Sequence, residues 1–189
     1  MKMNPKDIIG PTSVIVGVCL VITAAVVGTN GLTEAKITEL NAQTAEEAKK
    51  EVLADADSFS TETITTDKGD VEYYVAANGA GYVFSTSNKG YGGQVGVMTG
   101  ITAEGEIAGV KVVSHNETPG LGAKSEGTDF TDQYKMQIPE GGVLEVTKTG
   151  KTADNQIDAI SGATITSRAV TSSVNDAIAA YQQITGGAK

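Results

Sequence analysis

An uncharged apolar run near the N-terminus constrains the fold of this chain more than any other feature. Residues 8–29 contain no charged side chain and consist mostly of Val, Ile, Ala, Leu, Gly and Thr. As an α-helix, this span of 22 residues rises roughly 33 Å, which matches the hydrocarbon thickness of a bilayer. Pro11 lies near the start of the run, where a helix tolerates proline. The run therefore predicts a transmembrane helix over residues 8–29.

A cleaved signal peptide is the competing interpretation of this run. Basic residues precede it, and Ala24 and Ala25 are small residues of the kind found at cleavage sites. The length of the run favours an uncleaved anchor. Two lysines lie within residues 1–7, so the positive-inside rule places this N-terminus in the cytoplasm and the rest of the chain on the other side of the membrane.

Composition excludes several kinds of site. The chain has 189 residues and a formal net charge of −9, and most of its acidic residues follow the anchor, which argues against nucleic acid as a partner. Cys19 is the one cysteine and His115 the one histidine. An intrachain disulfide, a cysteine-ligated iron–sulfur cluster and a multi-histidine metal site are therefore excluded, and we predict neither a metal site nor catalytic residues.

The remainder of the chain predicts an α+β domain. Residues 30–56 have helical composition, and Thr44 and Glu47 have the spacing of a capping box that would start a second helical piece. Residues 57–70 are rich in Ser, Thr and Asp and predict a loop or a weak strand. The apolar positions that follow Thr166 recur at helical spacing and predict a final amphipathic helix. Strand composition is found in residues 71–76, 81–87, 94–102, 106–114 and 143–147.

These elements give the predicted organisation of the whole chain. A single N-terminal transmembrane helix precedes a juxtamembrane helical segment, residues 30–56, and a small domain over residues 57–189. That domain has an antiparallel sheet with flanking helices, and a hairpin joins residues 94–102 to residues 106–114.

A short stretch before the final helix has the composition of an anion-binding loop. Ser161, Gly162, Ala163, Thr164, Ile165 and Thr166 follow one another here. The first turn of a helix has backbone N–H groups without partners and carries the positive end of the helix dipole, so it favours a phosphate. An ordinary Ser or Thr N-cap without a ligand is the alternative.

Glycines cluster between residues 90 and 96. The cluster has no G-K-[ST] sequence and does not fit G-x-G-x-x-G between a strand and a helix, so it is not a known nucleotide motif. We interpret it as a turn between strands that allows close backbone approach to a ligand.

Two separated motifs resemble one family. The stretch from Ser161 to Thr166 resembles the [SD]-G-A-[TS]-x-T flavinylation motif of FMN-binding domains, found in the G subunit of the Rnf complex and the C subunit of sodium-pumping NADH:quinone reductase. His115-Asn116-Glu117-Thr118-Pro119-Gly120-Leu121-Gly122 resembles the H-x-E-T-P-G-L-G loop of the same family. The resemblance implies that Thr166 carries FMN as a phosphoester. A flavin transferase would move FMN from FAD onto this hydroxyl, and the transferase and its metal would supply the activation.

The resemblance also implies the other cofactor-binding residues. In the second motif, Glu117 and Thr118 would hydrogen-bond flavin edge atoms or the ribityl chain, and Leu121 would cover a ring face. A structural hydrogen bond is the favoured role of His115, and positioning a proton for the flavin is the alternative. The implied set also includes Gly120 and Gly122 of this loop, and Ser161, Gly162, Ala163, Thr164 and Ile165 beside the acceptor.

The implied function is that of a membrane-anchored electron carrier. Within an Rnf complex, which couples ferredoxin:NAD electron transfer to sodium or proton translocation, it would relay electrons between other membrane and peripheral subunits on the periplasmic or extracellular face. The short chain favours the Rnf G subunit over the C subunit of the quinone reductase. A stand-alone flavinylated protein for extracellular electron transfer and an anchored module that only binds a ligand are further alternatives.

Overall fold

The computed structural model describes residues 5–67 and 69–186, and the chain divides into two compact units, Met1–Thr44 and Ala45–Lys189. Helix α1 (Pro5–Val52) contains the segment Ile9–Gly31, which is long and apolar enough to cross a membrane. Part of the predicted cytoplasmic segment 1–7, residues 1–4, lies outside the described residues. The limits of the predicted domains, 8–29, 30–56 and 57–189, stay predictions.

The second unit is built on an antiparallel sheet in which every strand pairs with its neighbours along the chain. The hairpin has the predicted bounds, and Phe59–Thr66, within the stretch predicted as a loop or a weak strand, forms a full strand. That strand persists because all eight of its residues pair with the next strand. The strands are β1 (Phe59–Thr66), β2 (Gly69–Ala76), β3 (Gly81–Lys89), β4 (Gln94–Thr102), β5 (Glu106–Ser114) and β6 (Met136–Gln137).

Each face of this sheet packs against a helix. Side chains alternate between the two faces along each strand. Tyr73 belongs to the core under helix α3 (Thr164–Thr185), whereas the next residue, Tyr74, packs with the end of α1 on the other face. The predicted apolar face of α3 is confirmed as buried: Val170, Val174, Ala177, Ile178 and Tyr181. On the other face, α1 contributes the buried residues Ala48 and Val52. The α+β class is confirmed.

Three details differ from the sequence-based expectation. Thr44 and Glu47 lie inside α1 and start no helix, because strong helix formers continue through them and leave no unpaired N–H group to cap. The helix ends at Val52 rather than at residue 56. The predicted strand 143–147 is only β7 (Glu145–Thr147), which pairs in parallel with β8 (Gln156–Asp158); a four-residue helix, α2 (Thr128–Thr131), precedes β6.

We expect the domain to lose stability in alkaline solution because its tyrosines are held in the neutral form. The hydrogen bond from Tyr73 to Glu62, and then burial, raise the pKa of Tyr73 to about 12. Burial raises the pKa of Tyr134, whose hydroxyl lies 2.7 Å from that of Thr171. In the unfolded chain these tyrosines lose their protons from about pH 10. Their full contribution to the free energy of unfolding is therefore present below that pH, and it falls as the pH rises toward 12.

The measurement is urea unfolding of the full chain in detergent at pH 9 and pH 11. At pH 9, Tyr134→Phe should cost about 1 kcal/mol through the lost hydrogen bond to Thr171, and it should reduce the alkaline loss. Tyr91 is 74% exposed, so Tyr91→Phe is the matched control and should change neither value. An equal alkaline loss in all three proteins would contradict the assignment to Tyr134.

Candidate functional site

Three chain segments meet beside the N-terminus of α3 and line a cavity of about 550 Å³. They are the turn between β3 and β4, the loop that follows β5, and the first turn of α3 with the residues before it. The volume lies within the usual range of small-molecule sites, about 300–1,000 Å³. The lining residues are Tyr91, Glu117, Thr118, Leu121, Gly122, Gly162, Ala163, Thr164, Ile165 and Thr166.

The start of α3 presents free backbone donors to this cavity. The first N–H group bonded within the helix is that of Ser167, which donates to the carbonyl of Ala163 at 3.0 Å. The N–H groups of Thr164, Ile165 and Thr166 therefore precede the helical ladder. Within the part of the chain that the structure describes, no side chain caps this end, contrary to a Ser or Thr N-cap. The arrangement can bind an anion through backbone donors and the helix dipole.

Ser167, a hydroxyl residue of the same stretch, stabilises the helix start instead of capping it. Its Oγ donates to the carbonyl of Ala163 at 3.0 Å and accepts the N–H of Ile160 at 3.0 Å. Gly162 lies between Ile160 and Ala163 and has a φ of +77°, a conformation that favours glycine. The turn into the helix is thus fixed by one serine and one glycine.

The hydroxyl of Thr166 is bonded to a buried carboxylate. Thr166 is 1% exposed, and its Oγ1 donates to Oε2 of Glu117 at 2.6 Å. Glu117 is 6% exposed, and its other oxygen, Oε1, accepts the backbone N–H of Gly92 at 2.8 Å. Each carboxylate oxygen therefore has one donor, and the two sequence motifs are joined by a direct hydrogen bond.

Glycines make room for this carboxylate. A Cβ atom on Gly122 would lie 2.7 Å from Cβ of Glu117 and 2.8 Å from Oγ1 of Thr166. A Cβ atom on Gly90 would lie 2.8 Å from Cγ2 of Val95 and would also meet Oε1 of Glu117. All three distances are too short for a real contact. The glycine-rich turn therefore permits close approach, as expected, and the group approached in this structure is Glu117.

His115 holds the loop and does not line the cavity. Its Nδ1 accepts the backbone N–H of Glu117 at 3.0 Å, so the proton of the neutral ring is on Nε2. Nε2 lies 2.9 Å from Oε1 of Glu126, out of line for a hydrogen bond. The contact of Nδ1 fixes the backbone at Glu117, in agreement with a structural role.

Exposed apolar side chains surround the cavity. Tyr91 is 74% exposed, Ile165 53% and Leu121 46%. Large apolar groups can cover the face of a planar aromatic ligand. The sequence analysis did not identify Tyr91 as a site residue. The signal that could have identified it is an aromatic residue between two glycines, Gly90 and Gly92, at a turn that is open to solvent.

All of the predicted site residues except Ser161 and Gly120 line the cavity. Gly120 has φ +79° and shapes the turn in which the N–H of Leu121 donates to the carbonyl of Thr118. Ser161 is exposed and precedes Gly162. The cavity thus combines an anion-binding helix start, a buried hydroxyl and an apolar rim.

Comparison with known proteins agrees with this geometry. The FMN-binding domain family matches residues 90–179, a span that contains every residue lining the cavity. The G subunit of the Na⁺-translocating ferredoxin:NAD⁺ oxidoreductase complex of Acetobacterium woodii is 40% identical over 172 residues, 82% of this chain and 83% of that protein. The G subunit of the proton-translocating complex of Clostridium ljungdahlii is 37% identical over 139 residues, 72% of this chain and 71% of that protein.

A solved structure has a similar fold. The C subunit of the Na⁺-translocating NADH-quinone reductase from Parabacteroides distasonis superposes with a TM-score of 0.55 at 25% identity, over 65% of this chain and 66% of that chain. The likeness to the G subunits is closer in sequence and longer in extent. The chain therefore belongs to the family of G subunits of ion-translocating oxidoreductase complexes of the Rnf type, and its cavity lies in the FMN-binding domain of that family.

Proposed function

We propose that this chain is the membrane-anchored flavoprotein subunit that carries electrons within an Rnf-type ferredoxin:NAD oxidoreductase coupled to sodium or proton translocation. The observation that carries the proposal is the cavity at the start of α3, whose lining residues all lie within the FMN-binding span. The chain is an electron-carrying part of an oxidoreductase, and the substrates of that oxidoreductase bind on other subunits.

The residues of the cavity fit FMN. The free N–H groups of Thr164, Ile165 and Thr166 suit its phosphate, and the exposed side chains of Tyr91 and Leu121 suit its planar ring system. When bound, FMN supplies the redox chemistry that the amino acids of this chain lack. The chain contributes binding, orientation and partial exclusion of water.

The proposed attachment is covalent, through a phosphoester on Oγ1 of Thr166. This hydroxyl lies at the cavity and beside the free donors of the helix start, which supports it as the acceptor. A flavin transferase, with FAD as the donor, would make this bond during maturation. The other proposed binding residues are those of the two motifs that line the cavity, with Gly120 and Ser161 shaping their turns.

We further propose that residues 8–29 anchor the chain with its N-terminus in the cytoplasm. The apolar segment Ile9–Gly31 of α1 and the lysines that precede it support this topology. The domain over residues 57–189 would then face the periplasm or the exterior and contact other membrane and peripheral subunits. The acidic charge of the chain disfavours nucleic acid as a partner.

The test uses the full chain, produced together with a flavin transferase and purified in detergent. We expect flavin absorption bands that bleach with dithionite and return in air, and co-purification with polytopic subunits and an iron–sulfur subunit when the chain is isolated from its own membranes. Flavin that resists reduction would make the chain a ligand-binding module. Reducible flavin without partner subunits would make it a stand-alone carrier.

A further inference from the structure

The burial of the Glu117 carboxylate is not explained by packing alone. It is buried and accepts two hydrogen bonds, both from neutral donors, the Thr166 hydroxyl and the Gly92 amide. Among residues 5–67 and 69–186, no Lys, Arg or His nitrogen forms an ion pair with it. A buried carboxylate without a cation is costly, so its presence at a cavity points to a role beyond stability.

The carboxylate is also aimed at one atom. Oε2 lies 2.6 Å from Oγ1 of Thr166, within the range in which a general base takes a proton. The Gly92 amide binds Oε1, and His115 binds the backbone N–H of Glu117, so the side chain is held from both ends. Gly122 lacks a side chain where a Cβ atom would lie 2.8 Å from Oγ1, so the hydroxyl and the carboxylate can pack closely against the glycine.

We propose that Glu117 is the catalytic base for the flavinylation of this chain, so that the acceptor protein brings its own proton acceptor to the reaction. The inference rests on the proposed attachment of FMN to Thr166. It assigns the activation of the Thr166 hydroxyl to this chain. The sequence-based expectation gave this task to the transferase and its metal. It also gave Glu117 a hydrogen bond to flavin edge atoms or the ribityl chain; in the structure the carboxylate is bonded to the hydroxyl of Thr166.

The step balances with FAD as the donor. Oγ1 of Thr166 forms a bond to the phosphorus that carries the riboflavin moiety, and its proton passes to Oε2 of Glu117. The bond between that phosphorus and the oxygen bridging to the AMP phosphorus breaks, and AMP leaves with this oxygen. The free N–H groups of Ile165 and Thr166 are placed to stabilise negative charge on the transferred phosphoryl oxygens. No electrons are transferred.

The experiment compares labelling rates of full-length proteins in detergent with purified flavin transferase, Mg²⁺ and FAD, followed by intact-mass analysis. Glu117→Gln keeps the size of the side chain but cannot take the proton, so we expect labelling to slow about 100-fold or more at saturating FAD. The FAD concentration for half-maximal rate should not change. Glu117→Asp keeps a carboxylate at a longer distance and should recover part of the rate.

Two controls separate catalysis from folding. Glu106, an exposed residue at the far end of β5, gives Glu106→Gln as a matched control that should be labelled at the wild-type rate. Near-UV circular dichroism and the thermal midpoint report the fold of each protein. The slow rate of Glu117→Gln should rise with pH, since hydroxide replaces the missing base.

The outcomes decide the proposal. Labelling of Glu117→Gln within about threefold of the wild-type rate would overturn it. A loss of label that accompanies a loss of fold in both Glu117 variants would also overturn it, because Glu117 would then be a structural residue. Failure of the unmodified chain to gain FMN is a different result, and it would reject the proposed attachment itself.

Discussion

Thr166→Val should abolish covalent flavin while leaving the domain folded. Valine has nearly the shape of threonine and lacks the hydroxyl, so no phosphoester can form at this position. The unmodified chain, isolated after production with a flavin transferase, should carry the mass of one FMN less one water, and the variant should carry none. We also expect most of the flavin to be lost from this variant during purification, because the phosphoester is the only covalent link that we propose between FMN and the chain.

Two neighbouring substitutions make this result specific. Thr164 also lines the cavity, and Thr164→Val should keep the adduct because its hydroxyl is not the acceptor. Thr166→Ser keeps a hydroxyl and should still be labelled, more slowly, since serine is less restricted at χ1 and holds its oxygen less firmly toward Glu117. An unchanged adduct in Thr166→Val, or its loss in Thr164→Val alone, would reject the assignment of Thr166.

The loss of the hydroxyl also affects Glu117 in the folded protein. In Thr166→Val, Oε2 of Glu117 keeps no donor from Thr166 and is buried against a methyl group. An unsatisfied buried acceptor costs roughly 1–3 kcal/mol. A moderate fall in thermal midpoint therefore accompanies the loss of label, and the circular dichroism spectrum of Thr166→Val must be recorded before the missing adduct is interpreted.

Local patterns were sufficient to predict most of the fold. The alternation in β4 and β5 and the turn glycine between them gave the hairpin with its bounds, because both signals are contained in neighbouring residues. The apolar spacing in α3 predicted its buried face in the same way. The strand β1 was not predicted with certainty, because its residues are mostly polar and its stability depends on pairing with β2.

The candidate site, like the fold, was predictable where the signal lies in neighbouring residues. It was not predictable where it depends on contacts between residues far apart in the sequence. Both motifs could be found in the sequence, and the cavity contains most of their residues. The hydrogen bond between Glu117 and Thr166 could not be predicted, because it joins residues 49 apart and depends on how the loop after β5 packs against α3. The turn between β3 and β4 was interpreted by its glycines alone, so the amide of Gly92 and the side chain of Tyr91 were missed.

Gly100→Ala should give a large loss of stability in the domain. Gly100 and Gly109 are cross-strand partners in β4 and β5, and the backbone at the end of α1 lies directly on them. A Cβ atom on Gly100 would lie 2.7 Å from the carbonyl carbon of Val52 and closer still to its oxygen. Backbone atoms cannot rotate away as a side chain can, so the last turn of α1 must shift and expose Leu53 and its neighbours.

The expected cost is about 3 kcal/mol in the free energy of unfolding, the upper part of the range for overpacking. For a domain of this size it corresponds to a fall of roughly 10 °C in the thermal midpoint. Circular dichroism of the full chain in detergent measures this change, and hydrogen exchange should show faster exchange at the end of α1. Gly109→Ala should cost less, since its Cβ atom would lie 3.0 Å from Cα of Val52.

Gly141→Ala is the matched control, because a Cβ atom on Gly141 would have no atom of the described residues within 4 Å. Restricting the unfolded chain without a clash is neutral or slightly stabilising, so this variant should unfold at or above the wild-type midpoint. The order of stability should therefore be Gly141→Ala first, Gly109→Ala second and Gly100→Ala last. Equal thermal midpoints for Gly100→Ala and Gly141→Ala would show that the end of α1 does not rest on the glycine pair. That result would contradict the packing of Val52 against the sheet.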